Sequence, residues 1–176
     1  GAPYKVRVVL TLKGKIDMPA LEEAWNALIN RHAILRMSIG NLDGSPKFGV
    51  IMPPGRQTIQ IISTIGSDEE RIDLLKEWDI DHPFDLHGHS LVRMCLTPLN
   101  GEKQALLISN HHILLDGWSM PVMFEELCDL YSSFSANRAP TLAPAFDWRS
   151  HLSWLASRDQ HEAMQYWRKY LGSLDA

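Results

Sequence analysis

The chain has 176 residues, 45% of them hydrophobic and 22% charged, with a formal net charge of −4. That length supports one ordinary domain core, and that balance excludes an intrinsically disordered chain. No basic stripe suggests nucleic acid, and no apolar run approaches the roughly 20 residues of a membrane span.

The opening "GAPYKVRVVL" has no charged start or cleavage site of a signal peptide, so a cytoplasmic protein without nucleic-acid or membrane partners is expected. Tyr4, Val6, Val8, Leu10 and Leu12 alternate with Lys5, Arg7, Thr11 and Lys13, which predicts a strand with one buried face. With Asp17 as cap and Pro19 in the first turn, Leu21, Ala24, Trp25, Leu28 and Ile29 predict a helix ending near Arg31–His32. "ILRMSI" then reads as a strand, "NLDGSP" as a turn, "KFGVIM" as its paired strand and "TIQIISTI" as another. "SDEERIDLLKEWDI" predicts a helix capped by Ser67 or Asp68, with Ile72, Leu75 and Trp78 on one face.

"HSLVRMCLTPL" and "KQALLISN" are two strands joined by "NGEK", whose Asn-Gly favours a hairpin. "WSMPVMFEELCDLYSSF" predicts a helix with Val122, Leu127, Leu130 and Tyr131 inward. After the connector "NRAPTLAPAF", two helices follow with a break near Arg158–Asp159. Trp25, Trp78, Trp154 and Trp167 fall at helical spacing and are expected in a core; Cys95 and Cys128 are expected to be buried free thiols. The order of elements implies an α+β sandwich, with helices packed on a mixed, mostly antiparallel sheet.

Chemistry concentrates in "ISNHHILLDGWS", where His111, His112 and Asp116 follow a buried strand on its connection to the next helix. Adjacent side chains at a strand end point apart, so the two imidazoles should have separate tasks. Three readings are open from the residues. As metal ligands the three are few, and the zinc pattern of two histidines four apart with a glutamate is absent; no metal is expected. As structural groups both histidines would satisfy hydrogen bonds at the strand end. As a catalytic group, one exposed imidazole would exchange a proton near neutral pH. No Gly-x-Ser-x-Gly elbow or cysteine nucleophile accompanies them, which favours direct transfer between two bound substrates.

"HHILLDGWS" resembles the HHxxxDG signature of nonribosomal peptide synthetase condensation domains, members of the chloramphenicol acetyltransferase-like superfamily. "LKGKIDMPALEEAWNALINRHAILRMSI" resembles an early segment of those domains, with its RHxxLR element at Arg31, His32, Leu35 and Arg36. "FDWRSHLSWLASRDQHEAMQYWRKYL" resembles the helical segment after the signature. The resemblance implies that residues 1–176 form a single N-terminal lobe, without the C-terminal lobe and without the early "SxAQxRLWFL"-like helix. It implies amide-bond formation between donor acyl or peptidyl and acceptor aminoacyl thioesters, with His112 as the catalytic residue. His111, Asp116, Gly117, Arg31 and Arg36 would support the site, Asp116 pairing with one of the two arginines. Trp118 and Ser119 would lie along the substrate channel. No cofactor would bind directly; phosphopantetheine arms would arrive on donor and acceptor peptidyl carrier proteins. Further implied partners are the C-terminal lobe and an adjacent adenylation domain. Two alternatives accompany this reading: a non-catalytic interaction module, and a small chloramphenicol acetyltransferase-like acyltransferase.

Overall fold

The computed structural model describes residues 4–40, 48–88 and 90–172, which fall into two compact units meeting in sequence at Pro144 and Ala145. The turn read at "NLDGSP" and His89 lie outside the described residues. In the first unit, β1 (Lys5–Lys13), β6 (Lys103–His111), β5 (Val92–Pro98) and β4 (Gln60–Ile61) lie side by side in that order. β6 is antiparallel to both neighbours, and β4 runs parallel to β5. A smaller antiparallel sheet joins β2 (Met37–Gly40) to β3 (Phe48–Ile51).

α1 (Met18–Arg31) starts where the Asp17 side chain accepts from the Ala20 amide at 3.1 Å. Its apolar stripe buries Leu21, Ala24, Trp25, Leu28 and Ile29 against α3 (Ser119–Ser135), which contributes Met123, Leu127 and Leu130. Leu106 and Ile108 of β6 close this core from the sheet. Alternation along β6 turns Ala105, Leu107 and Ser109 to the opposite face. There α2 (Asp68–Asp81), held by a Ser67–Glu70 capping box, covers Leu107 and Cys95 with Leu75. β6 is therefore buried on both faces, which explains the unbroken run "ALLISN".

Several expectations change here. β1 does not have one buried face: Val9 joins the core under α2, and Lys5 and Arg7 reach a buried acid on that helix. "ILRMSI" begins as a single 3₁₀ turn, Ala33–Arg36, because Arg36 folds back to donate to the carbonyls of Ile29 and Asn30. "TIQIISTI" contributes only Gln60–Ile61 to the sheet. On α3 it is Met123 that turns inward, while Val122 is 53% exposed. Cys95 is buried as expected, but Cys128 is exposed.

The second unit holds α4 (Trp148–Ala156) and α5 (Gln160–Leu171), each capped by an aspartate, Asp147 and Asp159. The break at Arg158–Asp159 falls where the sequence puts it. Trp154 and Trp167 are each 52% exposed, so helical spacing marks a shared face without burying it. Among the described residues no helix is long and apolar enough to cross a membrane.

Candidate active site

The end of β6 delivers the two histidines into a tight turn. The His111 amide donates to the Leu91 carbonyl at 2.8 Å, and the Leu114 amide returns to the His111 carbonyl at 3.0 Å. Leu114 and Leu115 are buried in the main core, which anchors the loop and leaves His112, Ile113, Asp116, Gly117 and Trp118 exposed. The chain thus alternates between holding itself down and presenting side chains.

The histidines take opposite tautomers. His112 Nδ1 lies 2.8 Å from the Leu115 carbonyl oxygen. A carbonyl only accepts, so Nδ1 carries the proton and Nε2 presents a lone pair to solvent. The His112 main-chain amide donates to the Tyr4 carbonyl at 2.7 Å, fixing the backbone beneath the ring. His111 is half-buried, and its Nδ1 accepts from the Ile113 amide at 3.2 Å. Burial, and then the neighbouring His112, lowers the His111 pKa and favours its neutral form. One ring is locked into the turn, and the other is oriented by it, with no hydrogen-bond partner at its outer nitrogen among the described residues. Among the described residues no three His, Cys, Asp or Glu side chains gather as metal ligands.

Among the described residues no arginine reaches Asp116. Its Oδ1 accepts from the Ser119 amide at 2.8 Å and from the Ser119 hydroxyl at 2.7 Å, so a local partner three residues away starts α3. Those hydrogen bonds from Ser119 hold its carboxyl below the usual range. Ser119 is therefore committed to the helix start. Trp118 stands 88% exposed beside it. A side chain at Gly117 would meet no atom of the described residues within 4 Å.

The two arginines serve the scaffold. Arg31 Nε is 2.9 Å from Glu126 Oε2 on α3, a second guanidinium nitrogen is 3.3 Å from Oε1, and the Ala143 carbonyl also accepts from Arg31. His32 Nε2 reaches the same Oε2 at 2.5 Å. Burial opposes the Glu126 charge, yet the Arg31 and His32 hydrogen bonds outweigh it and keep that carboxyl below its ordinary pKa. Arg36 donates to three main-chain carbonyls, those of Ile29, Asn30 and Met52, and so ties the end of α1 to β3. The RHxxLR element staples α1, α3 and the small sheet together.

Sequence reasoning missed two acids. Glu126 adjoins the inward stripe of α3, and Arg31 beside a hydrogen-bonding His32 was the signal that an acid was required. Asp79 is fully buried on α2, in step with Ile72 and Leu75 on the apolar face, a position where a carboxylate demands partners. A concavity of about 370 Å³ lies at the opposite end of β6, lined by Met18, Leu96, Leu99 and Lys103 among others.

Comparison with known proteins addresses the whole chain. Residues 1–175 match the family model described as "Condensation domain". Bacitracin synthase 1 of Bacillus licheniformis is 31% identical over 173 residues, covering 96% of this chain and 3% of that protein. Malpinin synthetase of Mortierella alpina is 31% identical over 178 residues, covering 96% and 2%. The X-domain from teicoplanin biosynthesis superposes with a TM-score of 0.78 at 26% identity, over 98% of this chain and 39% of that one. The starter condensation domain of the rhizomide synthetase reaches a TM-score of 0.84 at 15% identity, over 98% and 43%, a likeness of fold. The chain spans a few hundredths of the synthetases it matches and under half of these solved domains.

Proposed function

We propose, from the premise that this chain belongs to the condensation-domain family, that it is the N-terminal lobe of a nonribosomal peptide synthetase condensation domain and carries the catalytic histidine. The observation that carries this reading is the setting of His112: its Nδ1 is anchored on the Leu115 carbonyl, the residue is exposed, and its Nε2 has no partner among the described residues.

In the proposed reaction the amine of an acceptor aminoacyl thioester attacks the carbonyl carbon of a donor acyl or peptidyl thioester. A C–N bond forms, the C–S bond breaks, and the leaving thiolate ends as a thiol on the donor arm. His112 Nε2 accepts the proton the amine loses, or orients the amine through that same lone pair. The Leu115 carbonyl stabilises the imidazolium that forms, because Nδ1–H faces it. A positioned base supplies a factor of about 10² to 10⁴, and alignment of two tethered substrates can supply as much or more.

Both substrates would arrive on phosphopantetheine arms of donor and acceptor carrier proteins in the cytoplasm, with an adenylation domain loading the acceptor. Gly117 supports this: among the described residues nothing requires a glycine there, so the open space suits an arm passing His112. The exposed Trp118 and Ile113 flank that space and would meet the C-terminal lobe or the substrates. The test is product formation from loaded donor and acceptor carriers by this chain, with and without its cognate C-terminal lobe. Amide product only when the lobe is added supports a site completed between two lobes. No product in either mixture, with both lobes folded and associated, overturns the reading.

A further inference from the structure

We infer that Asp79 and Lys5 are positioning residues for His112, acting through Tyr4 at the start of β1. The inference rests on the proposed role of His112, but its observable does not. Asp79 is the acid on which residues from three adjacent strands converge beneath α2. Lys5 Nζ is 3.3 Å from its Oδ2, Arg7 Nε is 2.9 Å from the same oxygen, and Arg93 lies 3.6 Å from Oδ1. Ser109 donates to Oδ1 at 2.7 Å. The Arg7 approach is an ionic contact off the hydrogen-bond direction, since Oδ2 has no aligned donor.

The cluster sits where the histidines leave the sheet. In register, Lys5 lies opposite His111, and Arg7 and Arg93 both lie opposite Ser109. Lys5 is nearly sealed from solvent, with a side chain 3% exposed, and its ammonium also donates to the carbonyls of Asp79 and His82. The last turn of α2 therefore grips Lys5 through three oxygens.

The next residue back is the link. Tyr4 has φ 69°, a left-handed conformation that a tyrosine rarely adopts, and its carbonyl accepts the His112 amide. Such a residue persists only where its surroundings dictate it. The Lys5 clamp is the constraint on its C-terminal side. Charge neutralisation alone does not account for the arrangement, because Arg7 and Arg93 would satisfy Asp79 without Lys5. What Lys5 adds is a fixed origin for β1, and with it a fixed place for the Tyr4 carbonyl under His112.

The test is amide hydrogen exchange by NMR on the 176-residue chain, comparing His112 with Leu107 in the middle of β6. Lys5→Met retains the apolar stem and leaves Asp79 its two arginines. It should lower His112 protection about tenfold or more while Leu107 is unchanged, and Lys5→Arg should restore it. The isosteric Asp79→Asn should act in the same selective way. Unchanged His112 protection in either variant that retains the Leu107 reference overturns the inference. Loss of the reference in both also overturns it, by making the cluster a folding determinant only. If instead His112→Ala leaves transfer intact, the functional reading fails while the exchange result stands.

Discussion

Replacing Glu126 by glutamine, alone and together with Arg31→Met, distinguishes the pairing found here from the one the signature motif suggested. The Glu126 carboxylate is 16% exposed and Arg31 20% exposed, with contacts of 2.9 and 3.3 Å in a forked arrangement. An exposed ion pair would be worth about 0.2–1 kcal/mol, and removal of one partner from a buried pair about 3–5. A pair buried to this degree falls between, so Glu126→Gln should cost about 2 kcal/mol and its coupling to Arg31 should be about 1 kcal/mol. For a chain of this size that is a drop in Tm of roughly 4–8 °C. Urea and thermal unfolding followed by circular dichroism at pH 7 measure both quantities. The pH dependence has a definite sign. The Glu126 pKa is lowered by folding, so its contribution is present above the unfolded carboxyl range and is lost as pH falls through the lower folded value. The gap between wild type and Glu126→Gln should close below about pH 4. Coupling to Arg31 within about 0.3 kcal/mol of zero would refute the reasoning. So would a stronger coupling between Arg31 and Asp116.

Gly117→Ala should leave stability within about 0.5 kcal/mol of wild type, since the added methyl meets none of the described residues. A loss of transfer in the full synthetase without a loss of stability would then locate the demand for glycine in what lies opposite; a marked fall in Tm would contradict the open space. Alkylation should distinguish the two thiols. Burial pushes the Cys95 thiol up to about 12, so iodoacetamide at pH 8 should modify Cys128 in the folded protein and Cys95 only after denaturation. Peptide mapping that finds Cys95 modified under native conditions would count against the two-sided burial of the sheet.

The framework was legible wherever one period dominated a segment. The stripe from Leu21 to Ile29, the Asn-Gly hairpin and the break before Asp159 all follow from local rules, and each appears in the structure. Local rules failed where a side chain reached across elements. Alternation in "YKVRVVL" gives two faces but does not say that Asp79 of α2 will cover the charged one. "ILRMSI" has a strand's composition, but Arg36 turning back to the end of α1 makes its first residues a 3₁₀ turn. At the site, the different hydrogen-bond settings of His111 and His112 follow from adjacency at a strand end. The resemblance implies an arginine partner for Asp116, whereas local rules point to Ser119, which offers both an amide and a hydroxyl three residues on. Spacing also could not say which helix faces are covered, and Trp154 and Trp167 show the limit.

Under the proposed function the outer nitrogen of His112 handles the proton of the attacking amine. The most direct test of that role is single-turnover transfer between loaded carriers by the full-length synthetase, wild type against His112→Ala, with circular dichroism establishing equal folding. The account predicts a fall in rate of about 10² to 10⁴ with donor loading unchanged. A folded variant that transfers at the wild-type rate would contradict it.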